Sequence, residues 1–241
     1  MRNAALLFGL VALAACSRGG AADLDAAHER HGFPAAARPV SHIISDKWSS
    51  EADRDRLNEA RAVMDKAGVA PGMTVADIGA GEGYYTIRLA ARVGEKGRVL
   101  AEDIMAGVRD RLAERVARER LDNVSVRLGD PTNPKLPQAS FDRVLMVHMY
   151  HEIQQPYEFL WHLRGSLEPD GRVVVVDADR PTDRHGTPPE LLECELRAVG
   201  YQPISRSAMP SAGGYLEIFE AHGPRPAPTD IKACDVTGKP L

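Results

Sequence analysis

The chain has 241 residues, 44% hydrophobic and 27% charged, so it can bury a core without disulfide staples, and one large domain with short appendages is expected. Thirty Lys and Arg against 34 Asp and Glu leave a net charge of -4, and aromatic residues are 5% of the chain. There is thus no electrostatic grip on a phosphate backbone and no stacking platform for single strands, and nucleic acid is not expected as a partner.

The first residues read as an address. Arg2 is followed by a small and apolar run from Ala4 to Ala14 that ends in Leu13-Ala14-Ala15-Cys16, the pattern of a secretory signal with a small-residue cleavage site. The run is shorter than the ~20 residues that a spanning helix needs. Cysteine directly after Leu-Ala-Ala resembles the lipobox of bacterial lipoproteins. That resemblance implies a signal peptide over 1–15, an acylated Cys16 as the only membrane attachment, and, with Ser17 following, an outer-membrane destination in the cell envelope. The alternative is a cytoplasmic protein whose signal is not used. In an exported chain Cys194 and Cys234 meet an oxidising compartment and can pair. With no CxxC pair and no His at ligand spacing beside the three cysteines, a zinc site is not expected.

Gly19 to about Ala37 is rich in Ala, Gly and charge and reads as a tether, giving an amino-terminal segment over 16–45. Ser50 with Asp53 three residues on opens a helix whose Leu57, Ala60, Met64 and Ala67 share one face, before Gly68 and Pro71-Gly72 stop it. Strands and helices then alternate. Strands are expected at Thr74 to Ile78, Arg98 to Glu102, Val124 to Leu128, Arg143 to Val147 and Val173 to Val176. Helices are expected at Tyr84 to Arg92, around Val108, Leu112 and Val116, at about Tyr157 to Leu167, and at Glu190 to Val199. Two further strands lie near Pro203 to Ser205 and at Tyr215 to Ala221. The near-continuous apolar character of strands four and five suits parallel strands covered on both faces. The expected fold is α/β, a doubly wound Rossmann-like sheet with helices on both faces, over 46–222, followed by a proline-containing tail over 223–241.

The chemistry concentrates at Asp77-Ile78-Gly79-Ala80-Gly81-Glu82-Gly83, where a strand runs through a glycine loop into a helix. Alternate glycines let the backbone turn sharply and let a ligand approach atoms that a Cβ would block. Asp77, at the strand's carboxyl end, can accept from an ammonium group, a task that a dinucleotide pyrophosphate does not set. The spacing GxGxG also departs from the GxGxxG of nicotinamide sites, leaving an oxidoreductase as a weaker reading. Strand two ends in Glu102-Asp103, where a carboxylate can take both ribose hydroxyls, and strand three ends in Gly129-Asp130-Pro131, where one can receive an adenine amino group.

The order and spacing of these motifs resemble the class I methyltransferases that use S-adenosylmethionine, across roughly Val63 to Ala221. The resemblance implies S-adenosyl-L-methionine as cofactor, with Asp77, Gly79 and Gly81 at its methionine end, Asp103 at its ribose and Asp130 at its adenine ring. Glu102 is the alternative ribose ligand, and a helix cap is the alternative role for Asp103. It also implies seven strands, the last antiparallel and inserted beside the sixth, and a small-molecule or lipid-like methyl acceptor. The alternative is a non-catalytic envelope lipoprotein that binds a ligand on the same fold.

Methyl transfer needs the acceptor in line with the departing sulfur, so positioning can supply most of the catalysis. Ligands in such sheets bind beyond the strand carboxyl ends, which points to Val147-His148-Met149-Tyr150-His151-Glu152 after strand four. His151 or Tyr150 is the candidate base, and His148 or Met149 lines the cofactor pocket. His148 and His151 lack a third ligand at suitable spacing, so no metal is expected. Asp177-Ala178-Asp179-Arg180-Pro181, before a loop with His185, contacts substrate or is plain surface, and Trp48 either folds over the cleft or plugs the core edge.

Overall fold

The computed structural model describes residues 31–43 and 50–241. The expected signal peptide over 1–15, Cys16, Ser17, the first part of the tether and Trp48 lie outside the described residues. Among the described residues no helix is long and apolar enough to cross a membrane.

Seven strands form one sheet: β1 Thr74–Ile78, β2 Arg98–Asp103, β3 Val124–Leu128, β4 Phe141–Val147, β5 Leu167–Asp177, β6 Tyr201–Met209 and β7 Gly214–Ala221. Their order is β3-β2-β1-β4-β5-β7-β6. The first five run parallel, and β7 enters antiparallel between β5 and β6, as expected. Successive residues of β1, β4 and β5 point to opposite faces, and both faces are covered. Ala76, Ile78, Val144, Met146, Val173 and Val175 belong to one buried cluster, packed by helices α5 (Pro156–Arg164) and α6 (Pro189–Ala198). Val75, Leu145, Val174 and Val176 belong to the other, packed by α2 (Glu59–Lys66) and α3 (Tyr84–Val93). Helix α4 (Ala106–Arg118) lies beside β2 and β3, burying Val108 and Leu112. The order reverses between β1 and β4, which opens a crevice at their carboxyl ends.

The first predicted helix is two. Ser50 caps α1 (Glu51–Arg56), its hydroxyl accepting from Asp53 N, but Asn58 adopts a left-handed conformation with φ 54° and starts α2 afresh. The break carries Leu57 away from Ala60 and Met64 and leaves it 60% exposed. Residues 168–171 are accommodated within β5 by a register shift, Phe141 pairing with Leu167 and Arg143 with Arg172.

The described part of the predicted tether is a packed strap. Phe33 is buried against Trp161 with ring centroids 5.7 Å apart. Arg38 is buried, its Nε donating to Glu195 Oε1 at 2.9 Å and its Nη2 to Ile153 O at 3.2 Å. Ser41 N donates to His151 O at 3.2 Å, Ser41 Oγ donates to Thr182 O and Thr182 Oγ1 to Pro39 O at 2.6 Å. The tail is irregular but docked: Trp161 Nε1 donates to Pro226 O at 2.9 Å and Cys234 N to Tyr157 Oη at 2.7 Å. Cys234 forms a disulfide with Cys194 of α6. Closing a loop over a sequence separation of 40 is worth about 4 kcal/mol in the chain-entropy account.

Candidate active site

The loop after β1 turns on Gly79 and Gly81, at φ 65° and 55°, a region that glycine enters without steric cost. Ala80 N donates to Glu102 O at 2.9 Å, and Gly81 N to Asp103 Oδ2 at 3.1 Å, so the end of β2 holds the loop. Asp103 Oδ1 also accepts from Met105 N at 2.8 Å, ahead of α4. The acid therefore serves both as wall of the site and as brace for the helix start.

A cleft opens above this loop, enclosing about 890 Å³ with the solvent at its mouth included. Gly79, Gly81, Glu102, Asp103 and His148 line it, together with the apolar side chains of Ile104, Met105, Pro131, Met149, Ile153 and Phe159, and Ile43 of the strap. A Cβ on Gly79 would press on Met149 Cγ at 3.1 Å, and one on Gly129 would strike Glu102 Oε1. Burial pushes the Glu102 carboxyl up to about 8, with the neighbouring Asp103 adding to the effect, and Glu102 Oε1 is buried with no hydrogen-bond partner. A carboxyl group with an unused oxygen at an apolar wall fits a ligand that brings hydroxyl donors.

Of the acids expected to ring one hollow, Asp103 lines this cleft and the other two are placed differently. The two-residue period of β1 turns Asp77 toward α3, where its Oδ2 accepts from Thr86 Oγ1 at 2.6 Å. Burial raises the Asp77 carboxyl to about 6 against the pull of Thr86. Asp130 folds back on its own turn, its Oδ1 accepting from Thr132 N and Oγ1, both at 3.2 Å. It lines an adjoining depression with Trp161 and His162, while its neighbour Pro131 lines the cleft.

The turn after β4 separates its predicted residues. His148 sits in left-handed backbone at φ 55°, fixed by donation from its N–H to Val176 O at 2.8 Å. Burial lowers its imidazole pKa. Tyr150, offered as a base, is wholly buried and donates to Glu195 Oε2 at 2.7 Å. Its hydroxyl belongs to the Arg38–Glu195 network of the core, and the assignment as a base is corrected. His151 is buried beside Asp177, Nδ1 lying 3.0 and 3.1 Å from the two carboxylate oxygens. Ala178 N and Thr187 Oγ1 donate to that carboxylate at 2.9 and 2.8 Å. His185 comes in from the loop after β5, and His151, Glu152 and His185 each place a donor atom within 4.8 Å of the others.

Sequence reasoning missed Ile43 as a wall of the cleft, Thr86 as the partner of Asp77, and Arg38 and Glu195 as the bolt behind the turn. None has a local signal, because each partner lies on a different element.

A family model described as a methyltransferase domain matches residues 75–171. Nocamycin O-methyltransferase of Saccharothrix syringae is 39% identical over 192 residues, 68% of this chain and 66% of the relative. The ubiquinone/menaquinone biosynthesis C-methyltransferase of Hahella chejuensis is 29% identical over 192 residues, 73% of this chain and 71% of the relative. The chain thus spans just under two thirds of the first of these relatives. In fold, a crystal structure of a SAM-dependent methyltransferase from Aquifex aeolicus superposes with a TM-score of 0.61 at 23% identity, covering 71% of this chain and 97% of that one.

Proposed function

From the methyltransferase domain matched over residues 75–171 and the relatives named as methyltransferases, we propose that the chain is a class I S-adenosylmethionine-dependent methyltransferase that methylates a small or lipid-like acceptor in the cleft between the β1 loop and the turn after β4. The observation that carries this reading is the mixed lining of the cleft: the glycines Gly79 and Gly81, the carboxyl groups of Glu102, Asp103 and Glu152, and His148, set among apolar side chains. When bound, S-adenosylmethionine supplies an electrophilic methyl group on a sulfonium sulfur. Gly79 and Gly81 admit its methionine end, with Asp77 supporting the loop from beneath. Asp103, assisted by Glu102, takes the ribose hydroxyls, and Asp130 beside Pro131 serves the adenine end. Met149, Ile153 and Phe159 exclude water and press an apolar acceptor into line. His151, oriented by Asp177, takes the proton of an acceptor that carries one. The relatives named for nocamycin and for ubiquinone/menaquinone biosynthesis support an acceptor of this size and polarity.

Export to the cell envelope with Cys16 as lipid anchor is part of the proposal. It is supported by the signal-like start and by the Cys194–Cys234 disulfide, a bond that persists in oxidising compartments.

Titrating the purified protein with S-adenosylmethionine by calorimetry tests the reading. Saturable binding of one equivalent, weakened by Asp103→Asn, is expected. A folded protein that takes up no cofactor overturns it.

A further inference from the structure

We propose that His151, Glu152 and His185 form a binding site for a divalent transition-metal ion at the edge of the cleft. The donors come from two loops that the sheet brings together: the 3-10 turn Tyr150–Glu152 after β4 and the segment that follows the 3-10 turn Thr182–Arg184 after β5. One donor atom from each lies within 4.8 Å of the other two. An ion held tetrahedrally at about 2.0–2.2 Å from each ligand spaces its ligands by roughly 3.3–3.6 Å, so rotation of the partly buried Glu152 and His185 side chains would close the site.

The surroundings are arranged as those of a metal ligand are. His151 Nδ1 is engaged by Asp177 at 3.0 Å, and Asp177 is itself buried and held by Ala178 N and Thr187 Oγ1. That leaves Nε2 as the atom the imidazole presents, the carboxylate–histidine arrangement that fixes ring orientation around metals. His185 sits in left-handed backbone at φ 56°, which a non-glycine residue keeps only when its surroundings impose it. Here its N–H donates to Ser41 Oγ at 3.1 Å, while Ser41 N donates to His151 O at 3.2 Å. One residue of the strap therefore holds the backbone of both histidines. Two imidazoles and a carboxylate suit zinc, iron or manganese over calcium or magnesium.

Glu152 also lines the cleft, so an ion held by it would stand within reach of an oxygen of the acceptor. A cation and a proton exclude each other at His151 Nε2. In the loaded protein an acceptor hydroxyl bound to the ion loses its proton to water instead of to His151. This role rests on the methyltransferase reading; the metal site itself does not.

The test is direct binding. Full-length protein, stripped with chelator and free of any histidine tag, is titrated with zinc chloride by calorimetry. Its metal content after dialysis is measured by elemental analysis, with cobalt(II) absorption as a report on the ligand set. One equivalent is expected, weakened at least tenfold by His185→Ala and by Glu152→Gln and about tenfold by Asp177→Asn. His185 and Glu152 are only partly buried, so thermal unfolding of these two variants should match the parent. Absence of saturable binding, or binding unchanged in both variants, overturns the proposal. Cofactor titration of the same samples reads the methyltransferase assignment separately.

Discussion

His151 and Asp177 face each other across the carboxyl ends of β4 and β5, the imidazole Nδ1 within 3.1 Å of both carboxylate oxygens, with neither side chain more than 3% exposed. The pair ties the turn after β4, which flanks the crevice, to the end of its neighbour β5, and the carboxylate decides which ring nitrogen is available.

Asp177→Asn keeps the side-chain volume but removes the charge that orients and stabilises the ring. Methyl transfer is expected to fall at least tenfold in kcat, while the dissociation constant for S-adenosylmethionine stays within twofold, because Asp177 is not part of the cofactor wall. Calorimetry alongside a turnover assay separates the two quantities; equal losses in both would contradict the placement.

Asp103→Asn acts on the other side of the cleft. The carboxylate accepts from Gly81 N and Met105 N and would lose charge-assisted hydrogen bonds to a ribose, worth about 1.5–3 kcal/mol. Cofactor affinity should drop by roughly ten- to a hundredfold, measured by calorimetry at constant pH.

The cofactor-free protein should lose stability as pH rises. Glu102 goes from an ordinary 4.5 to about 8 and Asp77 from 3.8 to about 6 in the fold, in both cases through burial. Acids raised in the native state bind protons more tightly there than in the unfolded chain. Their stabilising contribution is complete below the ordinary values and disappears as pH climbs through the native ones. Urea midpoints should therefore decline between pH 4 and pH 8, and Glu102→Gln should flatten that decline by on the order of 3 kcal/mol. A parent and variant with parallel profiles would rule out the buried carboxyl as the cause.

Arg38→Ala leaves Glu195 buried without its cation. Removing one partner of a buried pair costs about 3–5 kcal/mol, and Tyr150 and the turn behind His151 share that network. A thermal melt should shift down by many degrees. An unchanged melting temperature would mean that the strap does not bear on the core.

Much of the sheet was legible because its signals are local. β1 and β3 are read to the residue, since short β-branched runs there end at glycine or aspartate turns. Helix α4 was legible from Val108 and Leu112, and α6 from the Gly200 that closes it. The break at Asn58 was not, because a residue that tolerates left-handed backbone looks in sequence like any polar position on a helix. Pro203 shortened the predicted β6, although an edge strand accommodates it at a register shift. At the site, Gly79, Gly81, Asp103 and His148 were found from motif order. Asp77 and Asp130 were identified as acids, but not where they point, which depends on Thr86 and Thr132. The approach of His185 to His151 depends on two loops meeting in space and left no spacing to read.

The Arg38–Glu195 contact spans 157 positions of the chain. During synthesis the amino-terminal segment emerges early, yet its seat does not exist until α6 has been made and folded onto the sheet. The wall contributed by Ile43 is consequently among the last parts of the cleft to be assembled, and a chain interrupted before α6 would carry the glycine loop and its acids in a half-open trough.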